Sequence, residues 1–283
     1  MVYIEPELIE WVKYEGALIP DVPPHIEVKM SNEYARYLFK TYKPYFIRWV
    51  SDFDCSHETE WWYVIKEKEI NNNELEYSKY FRRYLKCGLK TCVVKKIDAE
   101  YIAYNGYKVY KNAFKRYDTF EKPIDEKDYM RHMLSFVNNS NYEFWGVFHK
   151  KSNALIAYSQ NLLRNDCCEY SSMKFDPEFL DLRPSYPLIY ETIKYYINDK
   201  KLIYVSFGAR SIYHKTAIQE FLVTRCKFRK AYCRLNIIYS FKIKLIVNIL
   251  YPFKNIISSI NTGITNKIAA LLQQEYVRRS FLN

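Results

Sequence analysis

His214 is the residue in this chain best suited to take up a proton near neutral pH, and its neighbours suggest where it would do so. Tyr213 beside it and Tyr232 further on are candidate proton donors. Glu169 and Tyr170 are adjacent on an expected strand, so they point to opposite faces and only one of them can look into a cleft. A second group, Ser206, Gly208, Arg210, Ser211 and Lys215, combines a turn, a helix cap and two cations. Those are the ingredients of an anion site at a helix N-terminus. Arg183 is a further cation, in a loop upstream. Each residue also has an ordinary reading, as an exposed helix-start histidine, a strand residue of core or surface, or a solvated cation beside a capped helix. The sequence leaves both readings open. It gives no indication of a metal, because no cysteine forms a CxxC pair or stands near a histidine at zinc spacing.

These residues need elements to carry them. Residues 202–207 form an apolar run of strand length, and Gly208, one of six glycines, marks a turn. Ser211 is placed to cap a helix whose buried stripe is Ala217, Ile218, Phe221 and Leu222. Residues 231–237 then alternate, with Tyr232, Arg234 and Asn236 on the polar face of a strand. Upstream, 143–148, 154–163 and 167–175 read as three strands joined by links of hairpin length, and Pro187 opens a helix. Earlier still come a helix from Ser31, strands at 45–50 and 61–66, and an amphipathic helix over 75–86 that Gly88 would end. Residues 91–97 and 101–104 look extended, 107–117 is basic and helical in pattern, and Tyr129, Met130, Met133, Leu134 and Val137 form the stripe of a further helix. Pro6, Pro20, Pro23 and Pro24 make 1–30 read as an arm with little regular structure. Residues 240–283 read as a basic helical pair divided near 261–263.

The 283 residues suffice for one large or two modest domains, and 49% apolar with 27% charged residues is ordinary for a folded chain. The net charge of +11 is unevenly placed. From Phe207 to the end there are 13 Lys or Arg against Glu220 and Glu275, which accounts for the whole excess, while the residues before Phe207 balance. That asymmetry suggests an anionic partner, whether nucleic acid such as RNA, a phosphorylated cofactor or an anionic membrane surface, or else a solvated basic tail. Arg225, Lys227, Arg229, Lys230 and Arg234, with Tyr232 among them, are a candidate grip for RNA. Lys242, Lys244 and Lys254 mix with Ile, Leu and Phe as on a membrane-surface helix, a pattern that also suits a helix closing over the sheet. The seven cysteines read as small core residues in a reducing compartment. The first residues carry no signal-peptide pattern and no apolar run reaches the ~20 residues that span a bilayer. The expectation is a cytoplasmic protein without a transmembrane segment, peripheral to the membrane in one reading.

From about Lys108 the order is helix, helix, three antiparallel strands, helix, strand, helix, strand. The local text is a strand ending in S-F-G-A-R-S, then a helix, then K-F-R-K-A-Y entering a strand. The order resembles the GNAT acyltransferase superfamily, and the local text looks like its FemAB-like, peptidyltransferase-type branch. The resemblance implies an α/β (α+β) fold with a mixed, mostly antiparallel central sheet flanked by helices, and a C-terminal helical extension. Residues 1–30 would be the arm, 31–106 the first part of the sheet and helices, 107–239 the GNAT-like core and 240–283 the extension. Two central strands, 167–175 and 202–207, would splay to admit an acyl-pantetheine arm or an aminoacyl group carried on RNA.

The activity so implied is N-acyl or aminoacyl transfer to an amine of a small molecule, glycan or peptide, directly within a ternary complex. The donor would be acyl-CoA, or aminoacyl-tRNA in its place, with no metal. His214, Glu169, Tyr170 and Tyr213 would be catalytic, and Ser206, Gly208, Arg210, Ser211, Lys215 and Arg183 would hold the donor. Two departures stand against the pattern. The loop FDPEFLDLRPSYPL has no glycine where CoA-dependent members carry several, and Phe221 and Leu222 stand near where a tyrosine acid is expected. The alternatives are a non-catalytic GNAT-fold protein that binds RNA or a membrane through its basic end, and a scaffold in surface-glycan assembly.

Overall fold

Prolines do not keep the first thirty residues irregular. β1 (Val2–Ile4), β2 (Trp11–Tyr14), β3 (Ala17–Pro20) and β4 (Ile26–Val28) lie there, against the expectation of an arm. The reason is a two-residue turn: Glu15 and Gly16 both have positive φ, 47° and 81°, which matches the twist of a tight hairpin. Trp11 to Tyr14 therefore pair antiparallel with Pro20 to Ala17. The computed structural model describes residues 2–67, 77–116, 122–164, 166–212, 217–258 and 263–281.

The remaining elements follow in chain order. They are α1 (Asn32–Tyr42), β5 (Phe46–Ser51), β6 (Trp62–Lys66), α2 (Lys79–Thr91), β7 (Cys92–Ile97), α3 (Ala99–Asn105), α4 (Tyr107–Ala113) and α5 (Glu126–Leu134). Next come β8 (Tyr142–His149), β9 (Leu155–Arg164), β10 (Cys167–Phe175), α6 (Ser185–Ile193), β11 (Tyr204–Ala209) and α7 (Ala217–Cys226). β12 (Arg229–Tyr232), β13 (Arg234–Tyr239), α8 (Phe241–Leu250), α9 (Lys254–Ser258) and α10 (Gly263–Arg279) complete the chain.

The chain divides into two units, the first built from 1–63, 209–217 and 230–283, the second from 64–208 and 218–229. In the first, a sheet in the order β13-β5-β3-β2 carries a core of Trp11, Leu18, Val28, Ala35, Leu38 and Ile47. Ser31 caps α1 by accepting the Tyr34 N–H, as its position before an apolar stripe predicts. β13 runs antiparallel to β5, from Arg234 opposite Ser51 to Tyr239 opposite Phe46. Its inward residue Leu235, with Cys233 just before the strand, packs with Trp61 and with Val277 of α10. Buried Glu275 ties α10 down, accepting from the Tyr239 hydroxyl at 3.0 Å and from both Arg278 and Arg279 at 2.7 Å. Burial alone would raise its pKa, but the two arginines outweigh that and hold it below the usual value.

The second unit carries the larger sheet, mixed and mostly antiparallel, in the order β6-β11-β10-β9-β8-β7. β7, β8, β9 and β10 are successively antiparallel, and β11 joins β10 in parallel. The alternation of the three long strands gives each face its own core. Phe144 and Tyr158 meet Ile102, Val109, Tyr129 and Met133 from α3, α4 and α5 on one side. On the other, Trp145 Nε1 and Asn161 Nδ2 both donate to Tyr196, which follows α6.

Two sequence expectations fail here for local reasons. Residues 101–104 are helical, because the Asp98 carboxylate accepts the Tyr101 N–H at 2.6 Å and caps α3. Gly88 does not end a helix but lies inside α2, where a Cβ would stand 2.7 Å from Pro187 Cδ and 2.9 Å from the Arg183 carbonyl oxygen. The lack of a side chain lets α2 lie against the start of α6.

Candidate functional site

β10 and β11 stay in register for only three residues, Cys167 with Tyr204, Cys168 with Val205 and Glu169 with Ser206. The register of β10 against β9 then shifts between Tyr170 and Ser172, so Ser171 is a bulge. A bulge bends its strand and increases the twist. Among the described residues, no β11 residue is in register with β10 beyond Glu169, although β10 continues to Phe175 and β11 to Ala209. The ladder between the two central strands ends there, where the sequence resemblance placed a splay.

The parting has two unlike faces. Tyr170 points under α6, wholly buried, with its hydroxyl 2.9 Å from Thr192 Oγ1 and its ring 6.3 Å from that of Phe207. Burial drives its pKa well up. It is a core tyrosine with a satisfied hydroxyl, which corrects its placing among the proton-transfer candidates. Glu169, its neighbour, faces the other way and is half-buried, with Oε1 3.9 Å from where a Cβ on Gly208 would stand. Ser206 shares that face. Its buried hydroxyl accepts the Gly208 N–H at 3.1 Å and holds Gly208 at φ 71°, so it shapes the turn. Past the bulge, Ser172 pairs with Gln160 and Lys174 with Tyr158, and Lys174 reaches over the Phe114 ring at 5.3 Å. The strand alternation that separates Glu169 from Tyr170 was legible in the sequence. Ser172 and Lys174 were missed because the bulge resets the alternation after Tyr170.

The proposed donor-binding residues are placed differently. Arg210 belongs to the first unit, where its Nη1 donates to the Glu60 carbonyl at 2.9 Å and to the Glu60 carboxylate, and its guanidinium lies over Trp62. It is committed to an ion pair. Ser211 precedes the described start of α7, and Tyr213, His214 and Lys215 lie outside the described residues. Arg183 adopts a left-handed conformation with φ 59° and stacks on Tyr84 of α2 at 4.8 Å. The basic cluster is also dispersed onto internal partners. Arg225 stacks on Tyr80, Arg229 forms a forked pair with Glu67, Lys230 lies over Trp62 and Arg234 over Phe281. Tyr232 has its pKa raised, first by burial and then by Glu58.

The start of α6 is where a coenzyme A pyrophosphate would need backbone N–H groups. Pro184 and Pro187 have none to give, the Tyr186 N–H is bonded to the Arg183 carbonyl, and α2 is packed against this end through Gly88. These residues do not fit a pyrophosphate cradle. On α2, however, Lys79, Arg83, Lys86 and Lys90 are exposed at helical spacing on one face with no acid among them.

A buried ionic group lies on the α6 side of the same sheet. Glu143 takes hydrogen bonds from Lys96 at 2.7 Å and Lys200 at 2.9 Å, and Lys96 also meets the Tyr195 hydroxyl at 3.2 Å. Beyond α6 the backbone widens into π-helical turns over Lys194–Asp199, which turn Tyr195 toward Lys96 and Tyr196 toward Trp145. Cavities also lie in the first unit. One of about 840 Å³ is lined by Glu58, Glu60, Lys254, Tyr276, Arg278 and Arg279, but Glu275 already pairs with its two arginines.

The chain has the FemX fold. It is similar to the crystal structure of FemX with a TM-score of 0.57 over 79% of this chain and 81% of that one, at 11% identity. Weaker likenesses are to L-PGS from Bacillus licheniformis, TM-score 0.47 over 86% and 83% at 8% identity, and to PaiA N-acetyltransferase from Thermoplasma acidophilum in complex with coenzyme A, TM-score 0.32 over 40% and 75% at 15% identity. No protein-family model and no curated protein matches the sequence. The FemX likeness is one of fold alone.

Proposed function

We propose that this protein transfers an acyl or aminoacyl group to an amine, with the acyl group seated where β10 and β11 part. The observation that carries this reading is the end of pairing at Glu169 and Ser206, directly before the bulge at Ser171. Beyond that point the edge of β10 has no β11 residue in register with it, so its backbone N–H groups are placed to hold an acyl carbonyl oxygen. In the reaction the amine nitrogen attacks the carbonyl carbon, and the tetrahedral adduct collapses with loss of the donor's oxygen or sulfur. The amine proton goes to a base, and Glu169 is the carboxylate on the face opposite Tyr170. The leaving atom takes up a proton from a general acid.

Of the two donor classes, an acyl group carried on RNA suits the chain better than acyl-CoA. Pro184 and Pro187 remove two N–H groups from the α6 start, while Lys79, Arg83, Lys86 and Lys90 present a row of cations that suits a phosphate backbone. The acceptor is an amine on a small molecule, peptide or glycan. The test is donor binding by the full chain, with fluorescence anisotropy on a labelled aminoacyl-tRNA and thermal shift with acetyl-CoA. The expected result is RNA binding that weakens in an Arg83→Glu/Lys86→Glu variant, with no shift from acetyl-CoA. A shift with acetyl-CoA alone would reverse the donor assignment, and no response to either donor would remove the catalytic reading.

A further inference from the structure

The helix after β13 turns much of its apolar surface outward. In α8, Val247 is buried and anchors the helix, but Phe241 is 84% exposed, Leu245 53% and Ile249 57%. Spaced four residues apart, these three form one stripe along the outer face. The stripe does not end with the helix, because Phe253 in the following turn and Ile256 in α9 are also exposed, at 54% and 63%. A run of large apolar side chains this open to water is unusual on a protein surface and marks a contact.

The charges around it say what kind of contact. Lys242 and Lys244 are exposed on either side of the stripe. From Ser240 to Gln274 the chain contains Lys242, Lys244, Lys254 and Lys267 and no Asp or Glu at all. Apolar side chains in the middle with lysines at both flanks match a bilayer boundary, where acyl chains take the former and anionic headgroups the latter. RNA would be served by the lysines but not by Leu245, Ile249 and Ile256, which offer nothing to a phosphate and no ring to stack a base. Among the described residues, no helix is long and apolar enough to cross a membrane, so the contact is one of lying on the surface.

We infer that α8, with the turn and α9 that follow it, docks the first unit on an anionic lipid bilayer, inserting Phe241, Leu245 and Ile249 between headgroups that Lys242 and Lys244 neutralise. The inference stands apart from the acyl-transfer reading, since none of these residues belongs to the β10–β11 parting.

Flotation of the full chain with vesicles tests it. Vesicles of phosphatidylcholine with about 30% phosphatidylglycerol should retain the protein at least ~10-fold better than phosphatidylcholine alone at about 0.1 M NaCl, and less well as salt rises. A Phe241→Ser/Leu245→Ser/Ile249→Ser variant should lose at least ~10-fold of that retention at an unchanged melting temperature. Phe241→Ser alone, at the most exposed of these positions, should lose about threefold and covers the case in which the triple variant does not fold. Lys242→Gln/Lys244→Gln should weaken binding and flatten its salt dependence. Absence of wild-type flotation on the anionic vesicles would overturn the proposal. So would equal flotation of the serine variants, or a protein that ignores vesicles but binds tRNA through the two lysines alone.

Discussion

Glu169 on β10 stands directly opposite Ser206 on β11, and this pair is the last at which the two parallel strands remain in register. Ser206 accepts the Gly208 N–H, and of the two side chains only the carboxylate is a base near neutral pH. Glu169→Gln should therefore lower the single-turnover transfer rate by roughly 10²–10⁴ while leaving donor affinity unchanged. An unaltered rate in the folded variant would remove Glu169 from the chemistry.

Gly88 gives a second expectation, about stability. Alanine in a helix interior is favoured over glycine by about 1 kcal/mol, so on an isolated α2 the change Gly88→Ala would help. Here the new methyl meets Pro187 and the Arg183 carbonyl at 2.7 and 2.9 Å, and overpacking of that kind costs about 1–3 kcal/mol. A lower melting temperature is expected, and a rise in calorimetry would mean that α2 can lift from α6 without cost.

Glu143 makes stability depend on acid pH. Burial acts to raise its pKa, but hydrogen bonds from Lys96 and Lys200 outweigh it, and the net shift is downward from 4.5. A depressed folded value means stability that is complete above the unfolded value and is lost as the pH falls through the folded one. Lys96 completes the window at the other end. Burial lowers it, its bonds to Glu143 and Tyr195 raise it more, and the net is a value above 10.5, so its share is lost only as the pH climbs past that. Thermal midpoints should fall more steeply below about pH 4.5 in the wild type than in Glu143→Gln. Parallel curves for the two proteins would contradict this.

The cysteines should divide sharply by accessibility. Cys87 is exposed and Cys55 partly so, while Cys92, Cys167, Cys168, Cys226 and Cys233 are buried. Burial also pushes the Cys167 thiol up to about 12. A thiol reagent at mild alkaline pH should modify Cys87 first and Cys55 next, and reach the other five only on unfolding. Mass spectrometry of the partly labelled protein reads this directly.

The sequence was most legible where strand-length runs and turn chemistry agree. β8, β9 and β10 follow from such runs joined by polar links of hairpin length, and Ser31 announces α1. It was least legible where a single side chain decides. Tyr101 to Tyr104 have the composition of a strand until Asp98 caps them into α3. Gly88 has the look of a helix end because nothing in the local text shows that Pro187, far along the chain, will press against it. At the site, adjacency predicts that Glu169 and Tyr170 face apart, but which of them lies under α6 depends on Thr192 and the packing around it. Arg210 looked like a free cation for the same reason, since its partner Glu60 is remote in sequence.

The order in which the first unit's parts are made sets a hazard for the growing chain. β3 and β5 are synthesised early, but β13, which closes the other edge of β5, and α10, which covers β13, come from the last fifty residues. The second unit, apart from the short segment 218–229, leaves the ribosome in between and can fold while the first still waits. Throughout that interval one edge of β5 has neither partner nor cover, and such an edge pairs readily with other chains. Chains interrupted before residue 234 are thus the ones most prone to aggregate.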